Sequence, residues 1–274
     1  MALTAEERFL EAVLTLCKEQ GWLKVRGRQR TDSTHVLAKI RALNRTECVV
    51  ETLHHALNVL AVVAPDWLRG RVQPEWLERY GSHASDYRFP SGEDKRQQFL
   101  HQVGQDGWGL LTAIQADPTS HWMLSMPAID TLQRVWKQDY LPVEQGGTWI
   151  ADEDRLEAAR VFYSPYDLDA SAAKKRSIYW IGYKVHFTET CDEELPRLIT
   201  HVTTDIGPIP DREALPAIHA ALDQQDLLPE QHLVDAGYVD AELLVASQTE
   251  YRVDLVGPTG KDHRWQTREQ TGHA

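Results

Sequence analysis

Apolar and polar positions divide the chain into a long helical stretch followed by a strand-rich one. From Thr4 to Gln20, Phe9, Leu10, Val13, Leu14 and Cys17 share one helical face, Thr4 and Glu7 are spaced as a capping box, and Gly21 can end the helix. A basic run from Lys24 to Arg30 leads into Thr31-Asp32-Ser33-Thr34-His35-Val36, where a short strand is predicted to end near Asp32. From about Ser33 to Ala64, Val36, Ile40, Leu43, Leu53, Leu57 and Leu60 fall at mixed three- and four-residue steps. That spacing predicts one long helix or two, stopped by Pro65. Further helices are predicted near Pro74 to Tyr80, Glu93 to Ala116 and Ala128 to Tyr140, with turn formers between them.

The texture changes at about Tyr163. Ile178 to Thr188 and Leu198 to Thr204 are rich in β-branched and aromatic residues and read as strands. A helix follows from Asp211 to Asp223, with Leu215, Ile218, Ala221 and Leu222 on its apolar side. His232 to Asp235 makes a short apolar strand, Ala236-Gly237-Tyr238 a turn, Asp240 to Tyr251 a helix and Val253 to Val256 a last strand. The order β-β-α-β-α-β belongs to a mixed α/β sheet. The tail from Gly257 onward is polar and unpatterned.

Composition narrows this only a little. With 42% hydrophobic and 26% charged residues the chain has the make-up of a globular protein rather than a disordered one. The absence of a signal-peptide pattern and of any run of about 18 apolar residues leads us to expect a cytoplasmic protein with no membrane partner. Cys17, Cys48 and Cys191 are too few and too scattered for a disulfide framework or a CxxC zinc site, and read as packing residues. The formal charge of −12 runs against a DNA-binding role unless basic surface is concentrated locally, because affinity for nucleic acid comes mostly from Lys and Arg on phosphates.

Two acids stand where strands are predicted to end: Asp32, and Asp235 after Leu233-Val234. Carboxylates at strand ends can point into one cleft while the sheet fixes their backbones. Mg²⁺ needs only one or two such oxygens plus water and phosphate. Two ions about 3.5–4 Å apart can activate an attacking hydroxyl and stabilise the leaving oxygen of a phosphoryl displacement. By spacing alone, either Asp is more often a cap or turn former.

Three segments, Thr31-Asp32-Ser33-Thr34-His35-Val36, Trp180-Ile181-Gly182-Tyr183-Lys184-Val185-His186 and Val234-Asp235-Ala236-Gly237-Tyr238, occur in this order. Together they resemble the catalytic domain of DDE-type transposases of bacterial insertion sequences. The resemblance runs from about Gly21 to Pro258. It implies a ribonuclease-H-like mixed sheet with a largely helical insertion between the first and second strands. It also implies catalytic and metal-binding roles for Asp32 and Asp235, Mg²⁺ with Mn²⁺ as substitute, and DNA as partner. The reaction would be cleavage at a transposon end followed by attack of the freed 3′-hydroxyl on target DNA. Lys184 and His186 are carried over as residues near the active site and candidate DNA contacts; Arg28, Arg30, Lys175 and Arg176, in basic runs that precede proposed active-site strands, are further candidate DNA contacts, with a solvated strand end as the plain alternative.

On this reading residues 1–20 end an N-terminal helical region, 21–36 hold the first core strand, 37–162 the helical insertion, 163–258 the rest of the core, and 259–274 an irregular tail. The family's third acid is a Glu on a later helix. Glu269 is the candidate here, although its surroundings lack helical periodicity. The chain therefore reads as a fragment cut at both ends, whose parent would act as a homo-oligomer. Two rivals stand beside the transposase: a non-catalytic remnant that binds DNA or a partner transposase, and a metal-dependent nuclease without strand joining. His54-His55, His83, His101, His121 and His201 show no ligand spacing and read as surface or core histidines. The Trp residues of the helical middle read as core rather than as a stacking platform for bases. No phosphate-binding glycine loop and no GxSxG elbow is present.

Overall fold

The first strand, β1 (Arg28–Leu37), does not stop near Asp32 but runs on to Leu37. Thr31, Thr34 and Val36 are β-branched and suit a pleated strand. Just beyond it, the Ala38 amide donates to the Ile181 carbonyl at 3.1 Å. Pairing in the sheet thus overrides the spacing that read as helix from Ser33. Helix α2 (Arg45–Val63) begins only where Asn44 supplies a capping box. The Asn44 side chain accepts from the Glu47 amide, and the Glu47 carboxylate accepts from the Asn44 amide, both at 3.0 Å.

The computed structural model describes residues 4–84, 89–145, 147–151, 161–175 and 177–258. It is an α/β chain that divides into two units: residues 1–36 with 183–274, and residues 37–182. No helix among the described residues is long and apolar enough to cross a membrane.

The second unit holds α2, α3 (Pro65–Arg69), α4 (Pro74–Tyr80), α5 (Glu93–Ala116), a 3-10 stretch at Pro118–Ser125 and α6 (Pro127–Asp139). Its core contains Val49, Leu53, Leu60, Leu111, Ile114, Leu132, Trp136 and Tyr140, all essentially sealed from solvent. Trp67, Trp108 and Trp149 pack against that core, as expected of packing residues. Trp122 differs, with half of its surface exposed. Arg45 and Asp139, both largely buried, form an ion pair at 2.7 Å.

The remaining elements are α1 (Ala5–Glu19), β2 (Ser171–Lys175), β3 (Ile178–Thr190), β4 (Ile199–Ile206), α7 (Asp211–Gln224), β5 (Gln231–Val234), α8 (Ala241–Tyr251) and β6 (Asp254–Val256). In α1 only a narrow stripe is used: Leu14 packs with Ala214, Ile218 and Leu222 of α7, while Phe9 of the expected apolar face is 73% exposed. The six strands make one mixed sheet in the order β2-β3-β1-β5-β6, with β4 also on β3. β2 and then β4 pair antiparallel along β3, and β5 pairs parallel with both β1 and β6. β2, an Ala/Lys-rich segment without alternation, was not predicted from the sequence.

Candidate active site

The parallel register of β1 and β5 decides where the two predicted acids go. Thr31 lies opposite Val234, the last of four paired positions, so Asp32 and Asp235 are the next residues on neighbouring strands. Thr31 and Val234 point into the core and the two acids fall on the opposite, exposed face, as the two-residue period of a strand requires. Asp32 accepts a hydrogen bond from the Ser33 amide at 2.8 Å. Asp235 closes a tight turn by accepting from the Gly237 amide at 2.7 Å. Among the described residues neither carboxylate has a Lys or Arg ion-pair partner.

The turn brings in a third carboxylate. A Cβ on Gly237 would stand 2.9 Å from Asp211 Oδ2 and 3.0 Å from Asp235 Oδ1, so both acids crowd against this backbone. Asp211 opens α7 and is held at 2.9 Å by Lys184 Nζ, which also donates to the Ile209 carbonyl at 2.5 Å. Lys184 sits on β3 directly opposite Asp205 of β4. Two residues further on β3, on the same buried face, lies His186.

His186 is sealed from solvent: Nδ1 lies 2.5 Å from the Tyr238 hydroxyl, and Nε2 faces Asp205 Oδ2 at 3.3 Å without a well-aligned hydrogen bond. Burial, and then the negative charge of Asp211, Asp235 and Asp32, push the Tyr238 hydroxyl far above its usual pKa. Tyr238 therefore keeps its proton. Burial also lowers the pKa of His186, although Asp211 and Asp205 work against that. A neutral imidazole with a protonated Tyr238 assigns the tautomer: the hydroxyl donates to Nδ1, and Nε2–H faces Asp205. Two groups thus meet here: exposed Asp32 and Asp235 with the half-buried Asp211 that Lys184 holds, and beneath them a buried His186–Tyr238 pair that faces half-buried Asp205.

Of the sequence candidates, Asp32, Asp235, Lys184 and His186 come together in one unit. Arg28 and Arg30 share the exposed face of β1 with Asp32. Arg30 is two residues away, roughly 7 Å along a strand, and is paired with Glu189 at 2.5 Å. Lys175 ends β2, while Arg176 and Glu269 lie outside the described residues. Sequence reasoning missed Asp205 and Asp211, which carried no motif, and took Tyr238 only as part of a turn. No protein-family model, no curated protein and no solved structure matches this chain.

Proposed function

We propose that this chain carries the metal-binding centre of a DDE-type transposase, with Asp32 and Asp235 as ligands of Mg²⁺ and Mn²⁺ as a substitute. The observation that carries the reading is the Thr31–Val234 register, which sets two carboxylates, without a Lys or Arg ion-pair partner among the described residues, side by side on adjacent parallel strands. Further support for a ribonuclease-H-like sheet is that β1, the strand of Asp32, has β3 on one side and parallel β5, the strand of Asp235, on the other.

Hard oxygen ligands select Mg²⁺ or Mn²⁺, and a site with two or three protein carboxylates keeps positions open for water and phosphate oxygens. The ions would polarise the scissile phosphate of DNA and lower the pKa of the attacking water or 3′-hydroxyl. Lys184, beside Asp211, offsets part of the negative charge that would otherwise repel a phosphate. Arg28, on the same exposed face as Asp32, would contact the DNA backbone, and the active assembly would be a homo-oligomer. Asp211 stands closest to the role that Glu269 was expected to fill, although its pairing with Lys184 makes it first a positioning residue.

The test is calorimetric titration of Mg²⁺ and Mn²⁺ into the chain and into Asp32→Ala and Asp235→Ala, with circular dichroism to establish that all three are folded. Binding by the native chain and its loss in both variants is the expected result. Unchanged binding in the folded variants would sink the assignment. With a labelled DNA duplex, cleavage that disappears in both variants supports the enzyme. DNA binding without cleavage by the Mn²⁺-loaded native chain favours the non-catalytic remnant, and nicking without joined products the nuclease.

A further inference from the structure

We infer that a second, chemically different metal site lies in the helical unit, formed by Glu51, His54 and His83 and suited to a divalent ion of the zinc class. Glu51 and His54 are three residues apart on α2 and so share one face of it, and His83 follows α4. One ligand atom from each of the three lies within 4.8 Å of the other two. The imidazole rings of His54 and His83 are neighbours, with centroids 4.8 Å apart.

The surroundings hold these groups as outer partners hold metal ligands. Glu51, only 4% exposed, accepts from the Ala84 amide on Oε2 at 2.7 Å and from the Tyr166 hydroxyl on Oε1 at 2.6 Å. His54, equally buried, donates from Nδ1 to the Tyr80 carbonyl at 2.7 Å, which fixes its tautomer. Tyr80 is itself anchored through its hydroxyl to Asp106 at 2.7 Å. The ion pair that Glu51 makes among the described residues is with His83, whose Nδ1 lies 2.7 Å from Oε1. A buried carboxylate therefore faces a mostly exposed imidazole, and a proton stands where a cation would bridge them. Metal binding exchanges that proton, and the hydrogen bond that the Asn58 amide donates to His54 Nε2 at 2.9 Å, for coordination.

Access is available from one side. Glu51 and His83 line a cavity of about 350 Å³ together with Lys39, Arg41, Ser164 and Tyr166. Three protein ligands plus an open side suit a tetrahedral ion that keeps a water or an exogenous ligand. Two imidazoles and one carboxylate suit Zn²⁺, Co²⁺ or Ni²⁺ rather than Mg²⁺, which prefers oxygen. The site is thereby separable from the Asp32–Asp235 pair by ion and does not depend on the function proposed for it.

The experiment is a titration of the full chain with Zn²⁺ and with Co²⁺ as a spectroscopic probe, followed by X-ray absorption at the zinc edge of the one-equivalent complex. One equivalent should bind, with two imidazoles, oxygen and no sulfur in the shell, and Asp235→Ala should bind it equally well. His83→Ala removes a mostly exposed side chain. It leaves buried Glu51 without its ion-pair partner and so should lower metal-free stability somewhat, weaken Zn²⁺ at least about tenfold, and abolish the rise in melting temperature that Zn²⁺ produces. Glu51→Gln should act in the same direction. No stoichiometric binding, a shell containing sulfur or lacking imidazole, or full affinity retained in His83→Ala would each overturn the inference. The absorption spectrum of the native chain decides the matter even if the variants fail to fold.

Discussion

Single residues at the sheet centre make sharp demands. Gly237 is required for closeness rather than for an unusual backbone angle, since a Cβ there would stand only 2.9 and 3.0 Å from two carboxylate oxygens. Gly237→Ala should turn Asp235 or Asp211 aside without unfolding the chain. A displaced ligand shell of this kind costs about ten- to a hundredfold in metal affinity, measurable by Mn²⁺ titration. Affinity within a factor of two of the native chain would show that Asp235 holds no ion. Tyr238→Phe tests the layer beneath. It leaves His186 Nδ1 buried without its hydroxyl partner, and an unsatisfied buried group costs about 1–3 kcal/mol. The urea midpoint should fall accordingly. The sequence showed the acids and the Lys184/His186 pair because they sit in recognisable wording. Asp211 and Asp205 were hidden because only the tertiary fold brings α7 and β4 to β3.

At the level of elements, α5 and α6 show which of two opposing effects wins. Gly104 and Gly107 lie about one turn apart in α5, and Cβ atoms there would stand 2.5 Å from the Tyr140 ring and 2.1 Å from the Trp136 ring. Trp136 donates to the Gly104 carbonyl at 3.1 Å and the Tyr140 hydroxyl to that of Leu100 at 3.0 Å, so neither ring can retreat without losing a buried bond. In an isolated helix Gly→Ala gains about 1 kcal/mol. Here overpacking against a fixed indole costs about 1–3 kcal/mol or more. Gly107→Ala should therefore lower the melting temperature of the chain, whereas Gly109→Ala, with open space around its Cβ, should raise it slightly. Equal shifts for both would mean that the rings move freely.

Legibility of the elements follows similar lines. The helices at Pro74–Tyr80 and Glu93–Ala116 were readable because Pro at the first turn and a long polar-apolar repeat are local signals. β1 was misjudged beyond Asp32 because its continuation depends on β3, about 150 residues later in the chain and invisible to local periodicity. The Glu51/His54 spacing on α2 was legible in principle, but only the fold brings His83 to it.

For the whole molecule, a formal net charge of −12 repels an anionic polymer, so on the function proposed above cations held at Asp32 and Asp235 would be what lets this surface meet DNA. Protons act elsewhere, at a fully buried imidazole pair. His219 Nε2 and His232 Nδ1 are 2.9 Å apart, and His232 Nε2 lies 2.7 Å from the Thr31 hydroxyl, itself 2.7 Å from that of Thr188. Burial lowers His219 to about 4, and burial with the neighbouring His219 lowers His232 to about 3. In the unfolded chain both titrate near 6.5. As pH falls below about 6.5 the unfolded state takes up protons that the folded state refuses, so stability is lost until the folded values are reached. The slope is at most about 1.4 kcal/mol per pH unit for each histidine. Between pH 7 and pH 5 the loss should be on the order of 3 kcal/mol, in a range where exposed carboxylates still carry their charge. Urea unfolding at the two pH values measures it, and the ring proton resonances of both histidines should stay fixed across that range. Movement of either resonance near pH 6.5 would mean that the pair is solvated, and the acid sensitivity would then have to arise elsewhere.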